Sequence, residues 1–445
     1  TIQTKKNLRD LLLENTILQI FDTANPFESA MVDTSVIIVK KSQPEPGHQI
    51  TFLDGKNNIT QPEKYTIQQN DYTNVPNKVI FIPTDFNKKI YQKLAKKVNE
   101  LLIKWWDKIS TSKNIEKYKK ELEIYRKSLK PGDITLLGLI TEGGQGLATA
   151  NNGKYIGVLE GTKWADKVRN ERPEKLLLVE QFCKKENIKS KADAQVYLNN
   201  LKEKEIRQLF DELKEKYGRD VFGQGWIYRI VSYEEIADVD SLTDDEKLNG
   251  IRGDKTFVPY DKGDKDGNRW YAPTPYYIDW SRENVKFLKE NSGKKGEGMP
   301  VVRNPQFYFR EGFCWTNILN PNARLIKAKL KGKSVNDVGS MCLYPLIKLS
   351  STYFVCLINS SLLFEFYRTF INYSVNIQIN DIRQLPIIIP TLEQLRVFES
   401  LCDRAIAIQK HKFNGVLTNQ EAQKKLDDIQ KELDELVLEL YGLKE

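Results

Sequence analysis

Apolar residues recur at two different periods in separate blocks of the chain, and this alternation restricts the fold more than any other feature. TILQIFDT (16–23) and VDTSVIIVKK (32–41) are short, β-branched runs typical of strands. By contrast, FNKKIYQKLAKKVNELLIKWWDKI (86–109) has apolar residues at helical spacing. The sequence therefore predicts a mixed α/β protein that begins with a helix and a β-hairpin.

Three changes of pattern divide the chain further. Composition shifts near Pro131 to Gly, Thr and Asn around strand-like runs, and residues 163–218 are helical again, with Ser190 as an expected N-cap. After Pro390 come two amphipathic helices, the second opened by a capping box of Thr418 and Glu421. We predict domains at 1–125, 126–390 with a helical insertion at 163–218, and 391–445 as a helical hairpin.

Composition favours a folded protein that binds a polyanion. Lys and Arg number 68 against 60 Asp and Glu, a net charge of +8, while 20 Tyr, 19 Phe and 7 Trp argue against a disordered chain. Five scattered Cys without a CxxC pair, and only two His, lack zinc-ligand spacing, so no metal is predicted. No apolar run reaches the roughly 18 residues of a membrane span. A reduced cytoplasm, with no membrane partner, is the expected location.

The strongest motif lies at TYFVCLINSSLLFEFYRTFINYSVNIQINDIRQLPIIIP (352–390). It resembles the closing segment of target-recognition domains in type IIG restriction-modification enzymes and BREX phage-resistance methyltransferases. In that pattern an Asn-Ser pair opens a helix, and an N-x-Q strand, an acidic-Ile-Arg step and an L-P-I-x-x-P exit follow. The matching residues are Asn359, Ser360, Asn376, Gln378, Asp381, Arg383, Leu385, Pro386 and Pro390. Much of the match is architectural, because proline neither continues a helix nor donates to a ladder.

The hairpin FDTANPFESAMVDTSVIIVKK (21–41) resembles the last β-hairpin of the methyltransferase fold in large adenine-specific enzymes. The resemblance implies that residues up to about 125 are the end of a catalytic domain and its helical connector. Asn25-Pro26-Phe27 is rejected as the catalytic Asn-Pro-Pro-aromatic motif, since the second proline is missing and the strand is the wrong one. Gly143-Gly144-Gln145-Gly146 lacks the acidic partner of a cofactor loop and is interpreted as a flexible loop at a groove.

Three further segments resemble the loops and strands that face DNA in these recognition domains: residues 138–157, 257–281 and 301–318. Arg can bind guanine bidentately, and Asn and Gln can bind adenine, tasks that aliphatic side chains cannot perform. Each single residue also has a plain alternative as a solvated or structural side chain. The predicted base or groove contacts are Asn151, Asn152, Lys163, Lys265, Asn268, Arg269, Trp270, Arg303, Asn304, Arg310, Asn376 and Gln378.

Lysines alternate with other residues in ARLIKAKLKGKSVND (323–337). On a strand this spacing places them on one face. We predict a phosphate-binding ridge, with the solvated face of a strand as an equal alternative. The lysines are Lys327, Lys329, Lys331 and Lys333.

The resemblance implies sequence-specific binding of double-stranded DNA for adenine-N6 methylation in a restriction-modification or phage-defence system. The chain is expected to be a fragment that is inactive alone, because it lacks the cofactor and catalytic motifs. S-adenosylmethionine would bind the missing N-terminal catalytic domain and not this chain. Two alternatives stay open: the parent enzyme is also an endonuclease, or the chain is a protein-docking module of a defence complex without sequence-specific DNA binding.

Overall fold

A computed structural model of the chain describes residues 6–27, 33–218, 221–222, 227–262, 267–319, 323–374 and 376–444. Helices and mixed sheets alternate along these residues, and two long helices close the chain. The predicted mixed α/β class is confirmed.

The strands and helices have the following bounds. The strands are β1 (Thr16–Ala24), β2 (Thr34–Lys40), β3 (Gln49–Asp54), β4 (Glu63–Gln68), β5 (Ile134–Leu136), β6 (Thr141–Gly144), β7 (Ile156–Leu159), β8 (Arg229–Val231), β9 (Phe257–Asp261), β10 (Tyr276–Asp279), β11 (Gly312–Thr316), β12 (Ala328–Lys331), β13 (Val335–Asn336), β14 (Ser340–Pro345) and β15 (Pro386–Ile388). The helices are α1 (Lys6–Leu13), α2 (Asp85–Ile90), α3 (Lys96–Ile109), α4 (Ser112–Lys117), α5 (Lys119–Ser128), α6 (Leu137–Ile140), α7 (Asn152–Tyr155), α8 (Lys163–Leu177), α9 (Glu180–Lys185), α10 (Lys191–Asn199), α11 (Glu203–Tyr217), α12 (Asp244–Asn249), α13 (Arg282–Glu290), α14 (Ser351–Ile358), α15 (Ser361–Phe366), α16 (Ile379–Ile382), α17 (Leu392–Phe413) and α18 (Asn419–Leu440).

The chain folds into two compact units that interleave in sequence. The first unit contains residues 1–142, 317–328 and 345–445, and the second contains residues 143–316 and 329–344. The division passes through β6, β12 and β14. The domain boundaries near residues 125 and 390 differ from this division of the chain and remain predictions.

The first unit begins with the predicted helix and hairpin. Strand β1 pairs antiparallel with β2 and parallel with β3, and the sheet has the order β2-β1-β3-β4. Strand β15, the Leu-Pro-Ile-Ile-Ile-Pro exit, pairs antiparallel with β5. Part of the exit therefore lies in a ladder, and the first residue of β15, Pro386, lies opposite Leu136.

The predicted helices of the first unit are also present. A π-helical turn at Tyr91–Ala95 joins α2 to α3, whose C-cap is Ser110. Thr418 and Glu421 form the predicted capping box of α18. Helices α17 and α18 pack on each other, so the C-terminal helical hairpin is confirmed.

Membrane-spanning potential is limited in the described ranges. No single helix there is both long and apolar enough to cross a bilayer. The pair Ser351–Ile358 and Ser361–Ile371 passes on length and composition together, but it is bent by 63°.

The second unit combines a five-stranded sheet of order β13-β9-β10-β7-β8 with a sheet of order β12-β11-β14-β6. The helical insertion is confirmed as α8 to α11, which enclose their own apolar core. Ser190 caps α10 as predicted, because its side chain accepts a hydrogen bond from the Asp193 amide.

The Gly143–Gly146 run is packed against backbone, and its interpretation as a flexible groove loop is wrong. A Cβ on Gly143 would lie 2.0 Å from the Cys342 carbonyl oxygen. A Cβ on Gly146 would lie 2.0 Å from the Asn336 carbonyl oxygen, which accepts a hydrogen bond from the Leu147 amide. Glycine is needed here because neighbouring main chain occupies the side-chain space.

Replacing Gly146 with alanine is expected to lower the free energy of unfolding by about 1–3 kcal/mol, since the new methyl group overpacks a backbone contact. Urea unfolding followed by circular dichroism measures the change. Gly332→Ala is the matched control, because a Cβ there meets no described atom within 4 Å. Equal midpoints for the two variants would contradict the packed role of Gly146.

Candidate nucleic-acid interface

Polar and aromatic side chains from five separated segments meet in the second unit. We call the group the amide–tyrosine cluster. It consists of Asn151, Asn152, Lys214, Tyr228, Lys262 and Tyr276, all of them partly exposed. It unites two of the predicted base-contacting residues with four residues that the sequence analysis did not select.

The two tyrosines are positioned by neighbouring strands. Tyr276 begins β10 and lies opposite Val158 of β7, which is also paired with Ile230 of β8. Tyr228 precedes Ile230 by two residues, so the strand period places both on the same face. The rings of Tyr228 and Tyr276 consequently meet at a centroid distance of 5.4 Å.

Lysines contact this pair and the adjacent amides. The Lys262 ammonium donates to the Tyr228 hydroxyl and lies 5.0 Å from the Tyr228 ring centroid and 5.5 Å from that of Tyr276. The Lys214 ammonium donates to Oδ1 of Asn151 over 3.2 Å. Oδ1 of Asn152 accepts from the Thr149 hydroxyl. The cluster therefore presents amide, phenol and ammonium groups side by side.

Burial changes the acid–base behaviour of the cluster. It lowers the pKa of Lys262, because a charged ammonium is poorly solvated there, although the Asp337 carboxylate acts in the opposite direction. Burial also raises the pKa of Tyr228 to about 12. Lys262 retains cation–π contacts with two rings, an environment in which a cation is more strongly attracted than at an open surface.

Lys163 is linked to the cluster by Trp164, whose ring it contacts. Its ammonium is 4.7 Å from the Trp164 ring centroid. Trp164 packs with Tyr228 and Tyr276 against one small apolar core that includes Val158. Lys163 itself is exposed at the start of α8. Three predicted contacts, Asn151, Asn152 and Lys163, are thus found in one region.

Several other predicted contacts have structural partners instead, and the predicted lysine ridge is wrong for Lys329 and Lys331. The alternation on β12 does place Lys329 and Lys331 on one face, but that face is buried, with exposures of 8% and 4%. Lys329 forms an ion pair with Asp261 at 3.6 Å. Lys331 donates to the carbonyl oxygens of Arg310, Gly332 and Ser334 at 2.8, 2.9 and 3.2 Å.

Exposed Lys333 pairs with Asp240, which satisfies its charge within the protein. Trp270 is fully buried, with an exposure of 0%, and cannot reach DNA in this conformation. The prediction that Trp270 contacts DNA is therefore wrong. Trp270 is next to Asn268 and Arg269 in sequence, but this does not bring its ring to the surface. The Leu330 amide donates a hydrogen bond to the Trp270 carbonyl and holds Trp270 beside β12.

The residues 303–310 mainly build a turn. Asn304 has a left-handed backbone with φ of 49°, and its amide donates to the Gln145 carbonyl over 2.9 Å. The Arg310 guanidinium lies 4.7 Å from the Tyr344 ring centroid and 5.4 Å from that of Phe307. Arg303 is half-buried, and its carbonyl accepts from the Tyr308 hydroxyl. The contacts of Arg303, Asn304 and Arg310 described here are therefore contacts within the protein.

The remaining predicted contacts stay predictions. Lys265 lies outside the described residues. Asn268, Arg269 and Lys327 are half-buried. Asn376 and Gln378 are exposed and belong to the first unit, where the backbone N–H of Gln378 donates to Oδ2 of Asp381.

The missed members of the cluster had weak sequence signals. Lys214 is one of three lysines on α11, and the sequence DKGD around Lys262 resembles that of any solvated loop. One usable signal for the cluster was the two-residue spacing of Tyr276 and Ile278, which marks Tyr276 as a strand residue on the same face as Ile278. The cluster arises from contacts between distant segments, which spacing does not reveal.

Comparison with known proteins returned structural neighbours only. The sequence matches no family profile and no curated protein. One similar structure is MmeI, a type IIL restriction-modification enzyme in complex with DNA, with 10% identity and a TM-score of 0.40 over 98% of this chain and 44% of that chain. Another is the type IIG restriction endonuclease BpuSI, with 10% identity and a TM-score of 0.27 over 98% of this chain and 45% of that chain. The chain spans less than half the length of either neighbour.

Proposed function

We propose that this chain binds double-stranded DNA at a specific sequence through the second unit. The amide–tyrosine cluster is the observation that carries the proposal, because it combines base-reading amides with cations and aromatic rings at a partly exposed surface. The net charge of +8 favours a polyanionic partner. The resemblance of residues 138–157 and 257–281 to DNA-facing segments agrees with this position.

The groups of the cluster have separate tasks in this proposal. Lys214 and Lys262 neutralise backbone phosphates, which releases counterions and makes binding dependent on salt. Asn151 presents an amide that can bind adenine through N6 and N7. Its present bond from Lys214 is exchanged for DNA contacts when the lysine turns to a phosphate. The Asn152 side chain is held in place by a hydrogen bond from the Thr149 hydroxyl.

Recognition by this chain would serve adenine-N6 methylation within a longer restriction-modification or phage-defence enzyme. S-adenosylmethionine would be bound by a separate catalytic domain, to which this chain presents the target adenine. The adenine must leave the base stack before methyl transfer, since its amino group is unreachable inside the duplex. Phosphate contacts of the recognition unit would hold the flanking DNA during that step.

Selection from a randomised duplex library tests sequence-specific binding directly. The full chain is incubated with the library at two salt concentrations, and the retained duplexes are sequenced. We expect enrichment of a short motif that contains adenine, with retention falling as salt rises. Retention without sequence preference would contradict specific recognition, and no retention at low salt would favour the protein-docking alternative.

Replacing Lys262 with methionine is expected to weaken duplex binding and to lower the slope of log K against log salt by about one. Methionine is one atom shorter than lysine, keeps an apolar stem and lacks the charge that would contact phosphate. Fluorescence anisotropy of a labelled duplex over a salt series measures both quantities. The fold should be retained, because burial already disfavours the charged form of Lys262.

Lys191→Met provides the matched control for this variant. Lys191 belongs to the same unit but is exposed on the helical insertion, where it pairs with Glu174 at 2.5 Å. The substitution removes the same charge, at a position that is remote in sequence from every member of the cluster. Equal losses of affinity in the two variants would show that net charge, and not the cluster, attracts DNA.

A further inference from the structure

Three buried metal-ligand side chains converge in the second unit, away from any local sequence motif. Asp261 ends β9, Cys314 lies in β11 and Cys342 in β14. Their ligand atoms all lie within 4.8 Å of one another. Cys314 and Cys342 are direct partners in the antiparallel register, so the sheet itself holds the two thiols together.

The spacing fits the edge of a zinc tetrahedron. With Zn–S of about 2.3 Å and Zn–O of about 2.1 Å, tetrahedral angles separate the sulfur and oxygen ligands by about 3.6 Å. The observed distance from Cys314 Sγ to Asp261 Oδ2 is 3.5 Å. Two thiolates with a carboxylate select zinc over magnesium or calcium, which take oxygen ligands.

Neighbouring side chains orient the carboxylate. The Ser340 hydroxyl donates to Oδ2 of Asp261 over 3.0 Å. The Lys329 ammonium lies 3.6 Å from Oδ1. A zinc ion bound to two thiolates and one carboxylate carries a net charge of −1, which buried Lys329 offsets. This pattern of outer groups is typical of metal sites, where they fix the direction of each ligand.

We propose that Asp261, Cys314 and Cys342 bind one zinc ion, with a water molecule as the fourth ligand. The ion replaces two thiol protons, which leave to solvent, while the Zn–S and Zn–O bonds form without any change of oxidation state. It cross-links β9, β11 and β14 and thereby stabilises the second unit. The proposal is independent of DNA binding.

The test measures zinc in the full chain, produced without a histidine tag. The protein is reduced, saturated with zinc, desalted and analysed by elemental mass spectrometry. We expect one tightly bound zinc per chain, and cobalt substitution should give thiolate-to-metal charge-transfer absorption. Cys314→Ser should lose both signals. Cys402→Ser is the control, since Cys402 neighbours Cys356 in the first unit and its loss should leave the zinc in place.

A milder variant separates zinc binding from folding. Ser340→Ala keeps the three ligands and removes the hydroxyl that contacts Asp261 Oδ2 and Cys342 Sγ, so we expect a native circular dichroism spectrum and about 10- to 100-fold weaker zinc binding. Zinc-free wild-type protein after saturation would overturn the proposal. Equal zinc content in Cys314→Ser would overturn it as well, and so would a Cys314–Cys342 disulfide in the protein isolated from cells.

Discussion

Replacing Arg172 with alanine is expected to lower the free energy of unfolding of the second unit by about 3 kcal/mol. The Arg172 side chain is only 5% exposed, and its two terminal nitrogens donate to the Glu203 carboxylate over 2.8 and 2.6 Å. Glu203 also accepts from the Ile230 amide over 3.0 Å, so this pair joins α8, α11 and β8. Truncation removes the apolar stem as well as the charge.

Urea unfolding gives the total change, and hydrogen exchange of residues 163–217 locates it. The exposed pair of Lys191 and Glu174 is the control, with side-chain exposures of 58% and 63%. Lys191→Ala should cost less than about 1 kcal/mol, because solvent screens such pairs. If Arg172→Ala were as mild as Lys191→Ala, the buried pair would not be what holds the insertion to the sheet.

Local sequence signals predicted several helices and their N-caps correctly, whereas the N-x-Q strand expected at residues 376–378 is absent from the described residues, since only an isolated bridge forms at Asn376. Ser190 and Thr418 were identified as N-caps from their own side chains and the residues that follow, and both form the expected bonds. Helical periodicity located the insertion at α8–α11 for the same reason. These interactions span three or four residues, so the sequence pattern contains all of the atoms that take part.

The candidate sites depend on contacts that no local pattern contains. Alternation correctly placed Lys329 and Lys331 on one face of β12, but the period of a strand does not say which face is buried. Asp261, Cys314 and Cys342 likewise have no zinc-motif spacing, and only strand pairing brings them together. Sequence spacing therefore predicted the elements, while tertiary pairing decided which side chains meet.

Replacing Trp270 with alanine is expected to lower the free energy of unfolding by about 3–5 kcal/mol. The side chain is among the largest in the described ranges that are fully buried. Its loss leaves a cavity beside β12, where Trp270 forms a bridge with Lys329. Urea unfolding followed by circular dichroism measures the change without relying on tryptophan fluorescence.

Trp270→Phe separates packing from DNA contact at the same position. Phenylalanine keeps an aromatic ring and removes the indole Nε1, a buried donor that finds no acceptor among the described residues. The loss of volume should therefore cost only about 1–2 kcal/mol. Duplex affinity should be unchanged, because a fully buried ring makes no contact with a ligand. A folded Trp270→Phe variant with weakened DNA binding would show instead that Trp270 moves to the surface on binding, which would restore the contact predicted from its neighbours in sequence.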